Sequence, residues 1–438
     1  MATCEDAEDL CLDMIDGAWP GVLAEVVLAA YAFVGIAVVA DEHLAPGLET
    51  LCRKLNLAED VAGASFLALG SAAPEIIISA VSTVKSIITM DDDARKKGGG
   101  DGPSEASAFA TSLGVSSIIG SGMMAFTLIP GLCAMSVPQP MKLKRRPLGR
   151  DAFFYILSLS LLCVVIQDGE VSWRDAVTMV GLYVVYLSST AAAPGIREWY
   201  RVNVAGKEPH STDAEKGDLA ESLDPETDEG DDDDEEESGP IAQALFLPFT
   251  PIKTVLSMTC PDVEEGSETE HMYPVTLVVA FTWLALFSTV LSAVITRWGM
   301  LLELPGTIMG MFIVAVGAQI PDTVQAIAVA KRGFGSMAVA SAVGSQVMNI
   351  LIGLGVPWLL STSVGIPIPI VDTAQLSVMT YLMVACWVVY VAVLLLPTLP
   401  TWGRYGRASL GPQQGYILFA AYAVASVIYL FWVWVNGH

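Results

Sequence analysis

Two acidic residues in this chain each follow a proline inside a long apolar segment. Glu75 closes the stretch GSAAPE at 70–75, and Asp322 closes the stretch GAQIPD at 317–322. A carboxylate at the centre of a membrane-spanning helix costs about 2.5–3.5 kcal/mol on insertion scales, so it is retained where it has a partner and a function. Carboxylate oxygens are typical ligands of hard cations such as Ca²⁺. The pair therefore predicts a cation site inside a membrane.

The composition agrees with a membrane location. Of the 438 residues 53% are hydrophobic, and the mean hydropathy is +0.55. A helix needs roughly 20 mostly apolar residues to cross the hydrocarbon core of a bilayer. Ten segments are predicted to do so, at 22–39, 61–88, 109–137, 152–166, 176–193, 275–295, 307–330, 337–360, 376–396 and 416–435. We therefore expect an all-α polytopic membrane protein.

The charges are concentrated in one part of the chain. The net charge is -25, and 15 of the 47 acidic residues lie between Asp213 and Glu237. Such a run cannot bury enough apolar surface to fold, so residues 194–273 are predicted to form an acidic, largely disordered loop. None of the four histidines lies near the middle of a predicted span, which argues against a histidine-based zinc site or proton relay there.

The distribution of Lys and Arg indicates the orientation of the spans. With the N-terminus outside, sixteen basic residues fall in cytosolic segments and five in outside segments. Because basic residues accumulate in cytoplasmic loops, both termini are predicted to be outside and the acidic loop to be cytosolic. The predicted segments are an extracellular N-terminal piece at 1–20, a first five-helix repeat at 21–193, the loop, and a second five-helix repeat at 274–438.

An internal repeat supports this division. Besides the two Pro-acidic stretches, Gly120-Ser121 matches Gly344-Ser345 at an offset of 224. Because five spans is an odd number, the second copy enters the membrane upside down. Inverted repeats are the architecture of many secondary transporters, whose ion sites lie at the midplane.

The local chemistry around each carboxylate suggests how a cation could be held. Glycine and proline weaken a helix, so we expect a break at Pro74 and at Pro321 that exposes backbone carbonyls. Carbonyls, hydroxyls and a carboxylate together offer the six to eight oxygens that Ca²⁺ prefers. Glu25, near a membrane edge, is expected to be merely solvated.

Several longer motifs resemble a known family. They are GASFLALGSAAPE from Gly63, ADE at 40–42 with ETLCRKLNLAEDVAG after it, FTPIKTVLSMTCPD before the sixth span, and KRGFGSMAVASAVGSQVMNILIGLGVPW from Lys331. In these residues the chain resembles the cation/calcium antiporter superfamily, and most closely its potassium-dependent sodium/calcium exchanger branch. The resemblance implies ten transmembrane helices in two inverted five-helix repeats. It also implies ion sites formed by the second, third, seventh and eighth spans.

The resemblance also assigns roles to individual residues. It implies that Glu75 and Asp322 are the central Ca²⁺ carboxylates, that Ser71 is a hydroxyl or carbonyl ligand, and that Ser121 and Ser345 are paired serines of neighbouring helices.

Other positions depart from the family pattern. Hydroxyl or amide ligands are replaced at Ala72, Ala125, Ala318 and Gln319. Asn349 stands where the potassium-dependent branch has an acidic residue associated with K⁺ dependence. We therefore expect no strict K⁺ dependence.

Two glutamines flank Asp322 at a distance of three residues each. Because a break is expected at Pro321, Gln325 is expected to be its closer neighbour and Gln319 the less certain one. One hypothesis is that an amide N–H group takes the place of one bound monovalent ion.

The function expected from these observations is export of Ca²⁺ in exchange for Na⁺ by alternating access, with K⁺ or H⁺ as less favoured coupling ions. An H⁺-coupled exchanger of Ca²⁺ or of another divalent cation is the alternative, and a passive cation channel is the alternative from another class. An enzyme is not expected, because an aspartyl protease dyad does not fit Glu75. We expect no cofactor and no nucleic-acid partner, and the plasma membrane is favoured over an organelle membrane; protein partners stay open.

Overall fold

The computed structural model describes residues 19–55, 68–97, 105–137, 139–203, 250–261, 263, 269–331, 333, 335–365, 368–395 and 407–436. Most of the predicted N-terminal segment at 1–20 and the acidic run at 213–237 lie outside the described residues.

The first repeat contains five membrane-length helical segments, three of them uninterrupted. In chain order their bounds are Trp19–Val38 with Ala45–Lys54 (first span), Ala68–Lys97 (second), Glu105–Met123 with Ile129–Ser136 (third), Arg145–Asp168 (fourth) and Trp173–Asn203 (fifth). The fourth helix is longer than the predicted segment at 152–166. The fifth continues ten residues beyond the predicted boundary at 193.

The second repeat has the same number of segments. Their bounds are Tyr273–Leu301 (sixth span), Gly306–Ile308 with Ala315–Lys331 (seventh), Gly335–Leu351 with Gly355–Ser363 (eighth), Thr373–Leu395 (ninth) and Pro412–Asn436 (tenth). A 3₁₀ turn at Glu270–Met272 precedes the sixth span, and a further helix, Thr250–Thr259, lies inside the segment predicted as loop.

Length and hydropathy support ten spans. Within the described residues, nine helical segments are long and apolar enough to cross a bilayer. The second span, which is not one of these nine, is a helix of 30 residues and is about 45 Å long at the usual rise of about 1.5 Å per residue. Helices suit a bilayer because they satisfy their own backbone hydrogen bonds. The predicted helical membrane architecture is confirmed.

The expected helix breaks at the two prolines are wrong. Pro74 and Pro321 both lie inside continuous α-helices. A proline removes only the hydrogen bond to the carbonyl four residues earlier, here Gly70 and Gly317, and packing against neighbouring helices can carry the helix through. The carbonyl oxygens of Gly70 and Gly317 therefore lack the backbone N–H donor that a regular helix would supply.

The irregular backbone lies elsewhere in the spans. π-helical turns occur at Val39–Leu44 in the first span, Met124–Leu128 in the third and Met309–Val314 in the seventh. In the eighth span a turn separates the two helical pieces between Leu351 and Gly355. Single π-helical turns are frequent at functional sites.

Two short antiparallel ribbons join the repeats. Strand β1 (Met141–Lys144) precedes the fourth span and pairs with β4 (Arg407–Leu410), which precedes the tenth. Strand β2 (Glu170–Val171) follows the fourth span and pairs with β3 (Ile368–Pro369), which follows the eighth. Each pair joins loops that ten alternating spans place on the same side of the membrane. The inverted repeat also exchanges the two ribbons. The third span corresponds to the eighth, so the connection that carries β1 corresponds to the one that carries β3. In the same way, the connection that carries β2 corresponds to the one that carries β4.

Helix contacts follow the same exchange. Ile129–Ser136 of the third span packs against the tenth span, and Gly355–Ser363 of the eighth packs against the fifth. The first and sixth spans also pack against each other. These pairings are those expected of two repeats related by a twofold axis in the membrane plane.

The buried apolar side chains form two clusters. The smaller contains residues of the first and sixth spans, such as Ile36 and Leu291, with Ile78 of the second. The larger contains residues of the third, fourth, fifth, eighth, ninth and tenth spans. Large apolar side chains on the outer faces, including Phe431 and Trp434 at 63% and 68% exposure, suit contact with lipid.

Candidate cation site

Glu75 lies at the boundary between the two apolar clusters. Its side chain is only 1% exposed. The neighbouring Ala72 and Ile76 belong to the larger cluster, whereas Ala73 belongs to the smaller. A carboxylate in such surroundings requires hydrogen bonds or a cation.

Gln319 of the seventh span supplies the hydrogen bond to Glu75. The Nε2 atom of Gln319 donates to Oε1 of Glu75, joining the two repeats at the site. Among the described residues, neither Oε2 of Glu75 nor Oε1 of Gln319 has a hydrogen-bond partner. The contact therefore leaves two buried oxygen atoms free to face a ligand.

The two glutamines that flank Asp322 differ in their surroundings. Gln319 is 1% exposed and touches the site, whereas Gln325 is exposed on the same helix. The expectation that Gln325 is the closer neighbour rested on a helix break at Pro321, and that break is absent from the described helix.

Asp322 differs from Glu75 in its surroundings. Asp322 is half-buried and borders a small cavity between the first, second and seventh spans. Asp41, in the π-helical turn of the first span, borders the same cavity and interacts electrostatically with Asp322. Ser71 also lines it, and its hydroxyl donates to the carbonyl of Ala68 at 3.2 Å.

The remaining polar residues of the predicted site are connected through Gln346 of the eighth span. Ser121 donates to Oε1 of Gln346 at 3.4 Å, and Nδ2 of Asn349 donates to the same oxygen at 3.3 Å. Nε2 of Gln346 donates to Ser345 at 3.5 Å. All four side chains are buried, and Oδ1 of Asn349 accepts no hydrogen bond from the residues that the structure describes.

The role of Gln346 was not evident from the sequence. The side-chain carbonyl oxygen of Gln346 would lie 3.7 Å from a Cβ atom placed on Gly122. Gln346 therefore packs beside this glycine of the opposite repeat. A signal was present in the repeat itself, because Gly122 and Gln346 occupy equivalent positions and differ greatly in size.

One more acidic residue departs from expectation. Glu25 is not merely solvated, because its Oε1 pairs with Nε of Arg297 at 2.8 Å and its Oε2 accepts from the Trp298 indole at 2.9 Å. The three groups join the first and sixth spans near their outer ends, away from the cavity.

The arrangement is suited to a dehydrated cation. Within the described residues no group of three or more His, Cys, Asp and Glu side chains could hold a metal ion. A cation between Glu75 and Asp322 would therefore take its other ligands from hydroxyl, amide and backbone oxygens. The Gly70 and Gly317 carbonyls, the hydroxyl of Ser71 and the free amide oxygen of Gln319 are of the kind that Ca²⁺ accepts.

Comparison with known proteins identifies the family. The family model described as "Sodium/calcium exchanger protein" matches residues 25–190 and 272–432, which are the two repeats. The chain is 26% identical to human sodium/potassium/calcium exchanger 5 over 381 residues, covering 78% of this chain and 71% of that one. It is 24% identical to a probable sodium/potassium/calcium exchanger of Drosophila melanogaster over 467 residues, covering 78% and 70%.

Solved structures agree on the fold. The crystal structure of the H⁺/Ca²⁺ exchanger CAX superposes with a TM-score of 0.58 at 13% identity, covering 93% of this chain and 86% of that one. The repeats, the paired carboxylates and the matched family model lead to one assignment: the chain belongs to the sodium/calcium exchanger family, a group of membrane transporters and not of enzymes.

Proposed function

We propose that this protein exports Ca²⁺ in exchange for Na⁺ and has no strict requirement for K⁺. That it is an integral membrane antiporter of inorganic cations follows from its family. The observation that carries the finer proposal is the placement of the two carboxylates, one from each repeat: Gln319, on the seventh span with Asp322, donates to Glu75, and Asp322 borders a cavity that the second span also lines. Two carboxylates balance either one Ca²⁺ or two Na⁺, so the two ions compete for the same oxygens.

Alternating access requires that the site open to one side of the membrane at a time. The cavity that reaches Asp322 supports this, because it lies where the first span meets the second and seventh. Movement of the first and sixth spans, which share the smaller apolar cluster, against the remaining helices would open and close such a cavity.

The absence of a strict K⁺ requirement is proposed from Asn349. The side chain is fully buried and neutral, and its amide donates to Gln346. Without a negative charge at this position, a K⁺ ion would lose its counter-charge there. The relatives named as sodium/potassium/calcium exchangers place K⁺ among the ions to be tested.

We also propose the plasma membrane as the location, with both termini outside and the acidic loop in the cytosol. The bias of Lys and Arg toward the predicted cytosolic segments supports this orientation. Single cysteines introduced at the two termini are labelled with a membrane-impermeant reagent on intact cells, and we expect both to react. Labelling that occurs only after the cells are permeabilised would show that the termini are in the cytosol.

The function is tested by uptake of radioactive Ca²⁺ into proteoliposomes that contain the purified full chain. Outward gradients of Na⁺, K⁺ and H⁺ are imposed separately, and only the Na⁺ gradient is expected to drive uptake. Glu75→Gln and Asp322→Asn are expected to reduce uptake to that of protein-free vesicles. Uptake driven by an H⁺ gradient alone would show that the coupling ion is H⁺ and not Na⁺. Flux without any counter-ion gradient would indicate a channel. Uptake that survives both substitutions would overturn the site assignment.

A further inference from the structure

Gln319 is buried with half of its hydrogen-bonding capacity unused. Its amide nitrogen donates to Glu75, but its carbonyl oxygen has no hydrogen-bond partner in the part of the chain that the structure describes. Leaving a buried polar atom unpaired costs about 1–3 kcal/mol. A residue that served packing alone would avoid this cost with an apolar side chain, so the amide requires a functional explanation.

The repeat shows that an amide is not required by the architecture. The position equivalent to Gln319 in the first repeat is Ala72, which is fully buried and has no polar side-chain atom. The amide therefore crosses from the second repeat to the carboxylate of the first without a symmetric counterpart. Its effect falls on Glu75 alone.

We propose that the Gln319 amide substitutes for one monovalent cation at Glu75, so that two Na⁺, without a third monovalent ion, exchange for each Ca²⁺. This inference rests on the proposed Na⁺/Ca²⁺ exchange. The N–H donor carries partial positive charge and occupies a place at Oε1 of Glu75 that a bound cation would otherwise take. Its attachment to the helix means that it is never transported.

Charge balance leads to the same stoichiometry. Glu75 and Asp322 carry the formal negative charges of the central pair, Asp41 adds a third carboxylate at the cavity beside Asp322, and Gln346 and Asn349 are neutral. Charges taken out of water into an apolar environment must be compensated. Ca²⁺ and two Na⁺ each compensate Glu75 and Asp322 fully, whereas a third Na⁺ would need Asp41 as its counter-charge and the place at Glu75 that the Gln319 N–H group occupies.

The same side chain can also accommodate Ca²⁺. Glutamine offers a carbonyl acceptor as well as N–H donors, and the carbonyl oxygen of Gln319 is the free atom. Rotation of the amide would direct this oxygen toward Ca²⁺ between the two carboxylates. Gln319 would then neutralise Glu75 in one loaded state and coordinate the ion in the other.

The experiment measures Ca²⁺ uptake into proteoliposomes against an outward Na⁺ gradient while K⁺ and valinomycin set the membrane potential. For the unmodified chain, we expect a Hill coefficient for Na⁺ of about two and a rate that does not depend on potential, because two Na⁺ balance one Ca²⁺. Gln319→Ser is expected to admit a third Na⁺, to raise the Hill coefficient toward about three, and to make uptake faster at inside-positive potential.

The controls separate this inference from the function on which it rests. Gln325→Ser makes the same change at an exposed position of the same helix and is expected to behave like the unmodified chain. Gln319→Glu has nearly the same shape and adds a negative charge, so it is expected to bind an extra cation as well. Gln319→Glu is therefore the variant to measure if Gln319→Ser does not elute as a single folded species.

The outcomes are distinct. If the unmodified chain shows no Na⁺-driven uptake, the proposed function is wrong. If it exchanges Na⁺ for Ca²⁺ but its rate depends on potential, or if both Gln319 variants keep its Hill coefficient and potential independence, the amide does not substitute for an ion.

Discussion

Glu75 and Asp322 occupy equivalent positions in two inverted repeats, yet their surroundings differ. Glu75 is almost fully buried and accepts a hydrogen bond from Gln319. Asp322 is half-buried, borders the cavity and faces the additional charge of Asp41. Because both carboxylates directly follow a proline inside a helix, their different burial arises from the residues around them. Equivalent positions in the two repeats thus give the two carboxylates different surroundings.

The packing of the repeats is unequal in the same region. A Cβ atom on Gly120 of the third span would meet the Ala315 side chain at 2.9 Å and the Met311 backbone at 3.0 Å. A Cβ atom on the equivalent Gly344 of the eighth span would meet no atom of the described residues within 4 Å. The third span therefore approaches the seventh closely, whereas the eighth has room at the corresponding position.

The largest expected effect tests whether the two carboxylates are interchangeable. Glu75→Asp should reduce Ca²⁺ uptake by about 100-fold, because a displacement of about 1 Å at a closed site costs that much and removes the contact with Gln319. Asp322→Glu should cost on the order of tenfold, because the longer side chain can extend into the cavity. Both are measured as initial rates in proteoliposomes at matched protein content. Equal losses would contradict the assignment of unequal roles.

A second prediction adds a charge to the second repeat. Asn349→Asp places a carboxylate at a fully buried position whose amide oxygen now has no partner. The new charge needs a cation, so uptake should become about tenfold faster when K⁺ is supplied with Ca²⁺. Asn349→Ala removes the amide without adding a charge and serves as the control. If K⁺ has no effect on the Asp variant, Asn349 does not explain the missing K⁺ requirement.

The sequence was sufficient for the parts of the site that repeat. A proline followed by an acid in two apolar segments is rare enough to locate Glu75 and Asp322, and the parity of the spans then implies an inverted repeat. Gln346 could not be located in this way, because it acts through contacts with Ser121 across the repeats. Such contacts depend on how closely two helices approach, which single-sequence patterns do not encode.

The expected helix breaks failed for a related physical reason. A proline costs one backbone hydrogen bond, and whether the helix then breaks is decided by the helices packed around it. Around Pro74 and Pro321 the packing maintains the helix, and the irregular turns form at Val39–Leu44 and Met309–Val314 instead. Neither turn contains a proline, so the sequence offered no local signal for them.

A third prediction uses the unequal packing of the repeats. Gly120→Ala should destabilise the protein by about 1–3 kcal/mol, because the added methyl group overlaps Ala315 and Met311. Gly344→Ala should stabilise it by about 0.5–1 kcal/mol, since alanine is the better helix former and the space is open. The two variants are compared by thermal unfolding in one detergent. Shifts of the same sign would show that the third and eighth spans are packed alike.

The smallest expected effect compares the two ion pairs of the first span. Glu25, near the start of the span, is 19% exposed and bonded to both Arg297 and Trp298; Glu42, in the π-helical turn within the span, is 46% exposed and pairs with Lys253 at 2.5 Å. Glu25→Gln should cost about 1.5–3 kcal/mol, the range for hydrogen bonds to a charged group. Glu42→Gln should cost about 0.2–1 kcal/mol, because exposed pairs are screened by water.

Thermal unfolding in low and high salt distinguishes the two ion pairs. The contribution of the Glu42 pair should disappear at high salt, where exposed charges are screened, while that of Glu25 should persist because its partners are shielded. If Glu42→Gln proves the more destabilising change, the helix Thr250–Thr259 that carries Lys253 holds the first span more firmly than its exposure implies. The segment after the acidic loop would then be a structural part of the first repeat.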